Sequence, residues 1–65
     1  MVIKIMDLIG SSTKSWPDAV EEAVSKAGQS IRNINEAEIV SLRAKIENGK
    51  ITDYLASIRL SFSVE

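Results

Sequence analysis

Apolar residues change their spacing twice along this chain. Residues 2–9, VIKIMDLI, are almost continuously Val, Ile, Met and Leu, and the run stops at Gly10. A short apolar run closed by a turn former reads as a strand. The next six residues, GSSTKS, are small and polar and read as a loop. From Trp16 the spacing becomes three and four. Trp16, Ala19, Val20, Ala23, Val24, Ala27 and Ile31 fall on one stripe, the face of a helix that packs on a sheet. Ser15 and Asp18 have the spacing of a capping box, and Pro17 falls in the first turn, where a missing N–H costs nothing. Gly28 interrupts the stripe, and its lack of a side chain predicts close approach of helix to sheet.

Beyond residue 33 the period falls to two. Residues 34–47 and 50–64 read as two long strands, joined by ENGK with Asn48-Gly49 as a two-residue turn. That turn sets a register. Glu47 opposes Lys50, Ile46 opposes Ile51, Arg43 opposes Tyr54 and Leu42 opposes Leu55. Further along, Glu38 opposes Arg59 and Glu36 opposes Ser61. Tyr54, Ala56, Ile58, Leu60, Phe62 and Val64 then share a face with Ala37 and Ile39, and this face meets the helix stripe. The other face holds Ile46, Ile51, Leu42, Leu55 and Val40 near the turn, and Glu36, Glu38, Ser57, Arg59 and Ser61 beyond it. One helix covers one face. The apolar patch on the second face therefore predicts burial against another subunit or a ligand.

Size strengthens that expectation. With 65 residues the chain is read as one domain, 1–65. A core this small rarely supplies more than about 3–5 kcal/mol without a staple. There is no cysteine, so no disulfide or thiolate metal site, and no histidine, the commonest metal ligand and neutral-pH base. Oligomerisation is the staple that remains. The net charge of −1, with both signs interspersed, gives no basic footprint for nucleic acid. No apolar run reaches the length of about 18 residues that predicts a membrane span. MVIKIMDLIG carries Lys4 and Asp7 and is read as a strand rather than a leader, so the expected location is cytoplasmic.

The words GSSTKSWPDAVEEAV, IRNI, ENGKITDY and LSFSVE, in this order and at this length, resemble the dodecin family over essentially the whole chain. The resemblance implies an α+β fold of order β-α-β-β. Its three-stranded antiparallel sheet is partly wrapped around one helix, and its subunits assemble into a hollow dodecamer. It also implies flavin binding for storage and photoprotective quenching, as ring pairs stacked at two-fold axes. The site itself departs from the family. Where flavin-binding members carry a ring-stacking tryptophan the chain has Glu36, and where they carry a ring-binding glutamine it has Leu55. Trp16 is no substitute, because it lies on the helix stripe. Glu36 offers no aromatic plane and puts a charge where a ring would desolvate it.

These departures leave three readings. The first is a non-enzymatic, dodecin-like shell that binds or stores another small ligand or an ion. Clustered carboxylate and amide oxygens from Glu36, Glu38 and Asn35, brought together by symmetry, suit a hard divalent cation such as Ca²⁺ or Mg²⁺. The second is a genuine flavin-binding dodecin for riboflavin or FMN, with Leu42, Leu55 and Val40 forming an apolar slot beside Glu36. The third is a structural assembly without a ligand. Glu38 and Arg59 are expected to form a cross-strand or intersubunit ion pair. Asp7, Asp18, Asp53 and Glu65 are read as solvated or capping residues. The serines and threonine of residues 11–13 lack the glycine spacing and lysine of a phosphate loop. Without His, Cys or a serine beside a base, no catalytic residue is assigned.

Overall fold

The computed structural model describes residues 1–64, and Glu65 lies outside the described residues. The elements are β1 (Val2–Ser12), α1 (Trp16–Gly28), β2 (Ile34–Glu47) and β3 (Lys50–Val64). They form one antiparallel sheet of order β1-β3-β2, with α1 laid across one face. The chain thus has the expected β-α-β-β order. No helix among the described residues is long and apolar enough to cross a membrane.

β1 runs past the expected stop at Gly10. Its pairing with β3 is unbroken from Val2↔Val64 to Ser12↔Tyr54. Gly10 is there for packing. A Cβ at Gly10 would stand 2.0 Å from the backbone oxygen of Ala19, so only glycine lets the helix come so close. Gly28 does not play the role its place in the stripe predicts, because a Cβ there would meet nothing within 4 Å.

The close approach explains the composition of the core. Ala19, Ala23 and Ala27 of α1 are buried against Ala56, Ile58 and Leu60 of β3, flanked by Leu8, Val20, Val24, Ile31 and Ile34. Small residues on the helix let two large aliphatics on the central strand be fully buried. Ser15 caps the helix by accepting from the Asp18 N–H at 3.1 Å. The Asp18 carboxylate does not reach back to close a capping box. It accepts from the Ser12 hydroxyl at 2.6 Å and ties α1 to the end of β1. Trp16 sits edge-on to Tyr54, ring centroids 4.8 Å apart, and its indole N–H donates to the Arg43 carbonyl at 2.9 Å.

The hairpin turn forms as expected, with Asn48 at φ 52° and Gly49 at φ 76°. Glu47↔Lys50, Ile46↔Ile51, Glu38↔Arg59 and Glu36↔Ser61 pair as the turn predicts. The pairs from Ser41↔Ser57 to Lys45↔Asp53 do not. Register shifts fall between Lys45 and Ile46, between Ile39 and Ser41, and between Ile34 and Glu36. Thr52 is the extra residue on β3 at the first shift, and Val40 is the extra residue on β2 at the second. One extra residue on each strand cancels, so only the intervening stretch is displaced. Arg43 therefore faces Leu55 rather than Tyr54, and Leu42 faces Ala56 rather than Leu55.

This displacement moves side chains between faces. Cross-strand partners share a face. Leu42, opposite buried Ala56, lies on the helix side and not on the outer face, and so do Ile46, four residues further along β2, and its partner Ile51. The helix packs chiefly on β1 and β3, so β2 stays uncovered on that side. Leu42 is 51% exposed and Ile46 65% exposed. On the outer face Ile3, Ile5, Ile9 and Val40 are also exposed. Both faces of the sheet thus present unburied aliphatics.

Candidate functional site

The outer face of the sheet carries most of the residues singled out above, and its rows follow from the two registers. Ile5, Ser61 and Glu36 form one row, and Asp7, Arg59 and Glu38 the next. Ile9, Ser57 and Ser41 form a third, and Ser11, Leu55 and Arg43 a fourth. Val40, extruded at its bulge, stands beside the second and third rows. Together with Asp7, Ile9, Ser57 and Arg59 it lines a shallow hollow of about 340 Å³. A second hollow, of about 420 Å³, lies between α1 and β1. Met6, Gly10, Ala23 and Ile31 line it, with Glu22 and Lys26 beside them, and it holds none of the expected site residues.

The four family flavin-site positions are not gathered in one chain. Glu36 and Leu55 share the outer face, but Glu36 pairs with Ser61, six residues along β3 from Leu55. At the rise of an extended strand that is about 20 Å. Val40 lies between them, and Leu42 is on the opposite face. The three proposed cation ligands are closer. Glu36 and Glu38 are two residues apart on one exposed face, about 7 Å along the strand. Asn35 occupies the bulge beside them, and its Nδ2 donates to Ser63 Oγ at 2.7 Å. That bond leaves the amide oxygen of Asn35 free to accept. Among the described residues no three acidic side chains converge on one point.

The expected Glu38–Arg59 contact is present at 4.0 Å, from Arg59 Nη1 to Glu38 Oε1. Arg59 has a nearer partner. Its Nε donates to Asp7 Oδ1 at 2.8 Å. Asp7, read from the sequence as a solvated acid, is thus the main counter-ion of Arg59. The hydrogen bond and then the charge of Asp7 raise the Arg59 guanidinium above its ordinary pKa; desolvation opposes this, and Glu38 adds the smallest contribution. Asp7 was missed because no short turn fixes the β1–β3 register. Its signal was the lone acid in an otherwise apolar strand, opposite an arginine once that strand is laid beside β3.

Arg43 does not stand opposite Tyr54, the partner the turn register predicts. It lies on the outer face, and its Nη2 donates to Ser57 Oγ at 3.0 Å. Tyr54 is half-buried on the helix side, as expected. Trp16 is engaged with Tyr54 and the Arg43 carbonyl, and so offers the outer face no aromatic plane. The resulting face combines hard oxygen donors, apolar rows and one tightly held guanidinium.

Proteins of this kind are known. The family model described as Dodecin matches residues 2–65. The calcium dodecin of Mycobacterium tuberculosis is 36% identical over 64 residues, covering 97% of this chain and 89% of that protein. The crystal structure of that calcium dodecin, described as having a novel calcium-binding site, matches with a TM-score of 0.88 at 33% identity. It covers 100% of this chain and 93% of the other. The dodecin of Streptomyces coelicolor superposes with a TM-score of 0.95 at 26% identity, covering 98% of this chain and 91% of that one. Fold, length and sequence agree: the chain belongs to the dodecin family.

Proposed function

We propose that this dodecin is a non-enzymatic, homo-oligomeric shell, a dodecamer, that binds or stores a divalent cation, and that its flavin site is remodelled. The observation that carries the reading is the pair of exposed carboxylates, Glu36 and Glu38, on one face of β2. Glu36 stands where the family resemblance places a stacking tryptophan. The likeness to a calcium dodecin supports calcium as the ion.

The donor chemistry fits a hard cation. Calcium takes about 6–8 oxygen ligands from carboxylates, amide carbonyls and water. One chain offers Glu36, Glu38 and the Asn35 amide oxygen, which is too few. Symmetry-related copies and water must complete the shell, so in this reading binding depends on assembly. When bound, the cation offsets the mutual repulsion of the carboxylates. Bound flavin would instead need a stacking plane that Glu36 does not provide.

Calorimetric titration of calcium into the assembled protein, repeated on Glu36→Ala, tests the proposal. Saturable heat in the wild type and its loss in the variant are expected. Equal heats from both would remove Glu36 from the account. Riboflavin fluorescence should be unchanged by excess protein, and quenching would restore the flavin reading. Neither calcium nor flavin binding would leave a structural assembly.

A further inference from the structure

Three charged side chains stand in one row of the outer face, and they are unequally paired. Arg59 lies on the central strand with Asp7 on one flank and Glu38 on the other. Arg59 Nε is 2.8 Å from Asp7, within hydrogen-bond reach, while Nη1 is 4.0 Å from Glu38, outside it. The two acids are equally exposed, at 69% and 68%, so screening does not distinguish them. Geometry does: Asp7 holds the guanidinium by a hydrogen bond, and Glu38 meets it only by a looser 4.0 Å contact without one.

We infer that Asp7 is a positioning residue for cation capture: by holding Arg59 it leaves the Glu38 carboxylate free to ligate a hard divalent cation alongside Glu36. The inference rests on the cation reading above. A guanidinium bonded to Glu38 would occupy the lone pairs a cation needs and would add a positive charge beside it. Without the Asp7 charge, Glu38 is the remaining acid flanking Arg59 on this row. The neighbouring cations have other places. Arg43 is bonded to Ser57, Lys45 pairs across from Asp53, and Lys4 pairs with Phe62 on the helix side.

The test is calcium chloride titration by calorimetry on assembled protein, with each variant's mass checked by light scattering. Asp7→Asn should weaken calcium binding about two- to fivefold, the range an exposed guanidinium–carboxylate contact can supply. Asp7→Glu should keep wild-type affinity. Arg59→Gln should bind calcium at least as tightly as the wild type, because no guanidinium is left to reach Glu38, and in that background Asp7→Asn should change nothing further. An unchanged affinity in Asp7→Asn overturns the inference. So does an equal weakening in the Arg59→Gln background, since Asp7 would then act as a ligand or as diffuse charge. If Asp7→Asn does not assemble, a crystal of the wild type grown with calcium decides: Glu38 on the ion with Arg59 still bonded to Asp7 supports the inference, and Arg59 bonded to Glu38 sinks it. Glu38→Gln separates the two proposals. If it leaves affinity unchanged while Glu36→Ala abolishes binding, the cation reading stands and the role of Asp7 falls. Absence of any calcium heat in the wild type removes both.

Discussion

At the scale of single residues, the glycines show how packing and backbone make different demands. Gly10 sits 2.0 Å, from where its Cβ would be, to a helix carbonyl. That neighbour is backbone and cannot rotate away. Gly10→Ala must push α1 off the sheet and open the contacts of Ala19 and Ala23, so a loss of about 1–3 kcal/mol is expected in chemical denaturation. Gly28 meets nothing. Gly28→Ala should instead raise stability, by a few tenths to about 1 kcal/mol, through helix propensity alone. An opposite ranking of the two variants would contradict the packing described. The sequence pointed to the wrong glycine. Periodicity marks a glycine within a stripe, whereas close approach depends on which residue of a strand lies beneath the helix.

At the scale of elements, hydrophobic period was a reliable guide and local register was not. The helix stripe, the two long strands and the Asn48-Gly49 turn were legible because each rests on neighbouring residues. Glu38 opposite Arg59 was legible too, for a subtler reason: the bulges at Thr52 and Val40 cancel before that pair is reached. Between the bulges the reading failed, and Leu42 was assigned to the wrong face. A bulge adds a residue without any strong compositional mark, so alternation alone cannot reveal it. The candidate site suffered more. Its row of Asp7, Arg59 and Glu38 needs the β1–β3 pairing, which joins the two ends of the chain and has no turn to fix it. The helix start offers a direct check on the element scale. Ser15→Ala removes the acceptor for the Asp18 N–H and should cost about 1 kcal/mol, read as a fall in thermal midpoint. An unchanged midpoint would mean that the tie between Ser12 and Asp18 alone holds the helix entry.

At the scale of the whole molecule, one short helix has to serve a long sheet. The described chain extends 49 Å in its longest direction and 13 Å in its shortest. Among the described residues only six hydrophobic side chains are buried, four of them alanines, while Ile39, Leu42 and Ile46 stand open on one face and Ile3, Ile5 and Ile9 on the other. A chain of this size with so small a core is expected to gain its stability from association. Size exclusion with light scattering should return about twelve times the 7.1 kDa chain mass at micromolar concentration. A species at the single-chain mass would contradict both the exposed aliphatics and the assembly proposed for this dodecin.

The central claim is that the assembled shell holds a cation where flavin-binding relatives would stack a ring, and a crystal structure of the protein grown with calcium tests it most directly. The account predicts a calcium ion bound by Glu36 oxygens from more than one copy, with oxygen distances of about 2.3–2.6 Å. A flavin at that position, or calcium bound only at carboxylates elsewhere, would contradict it.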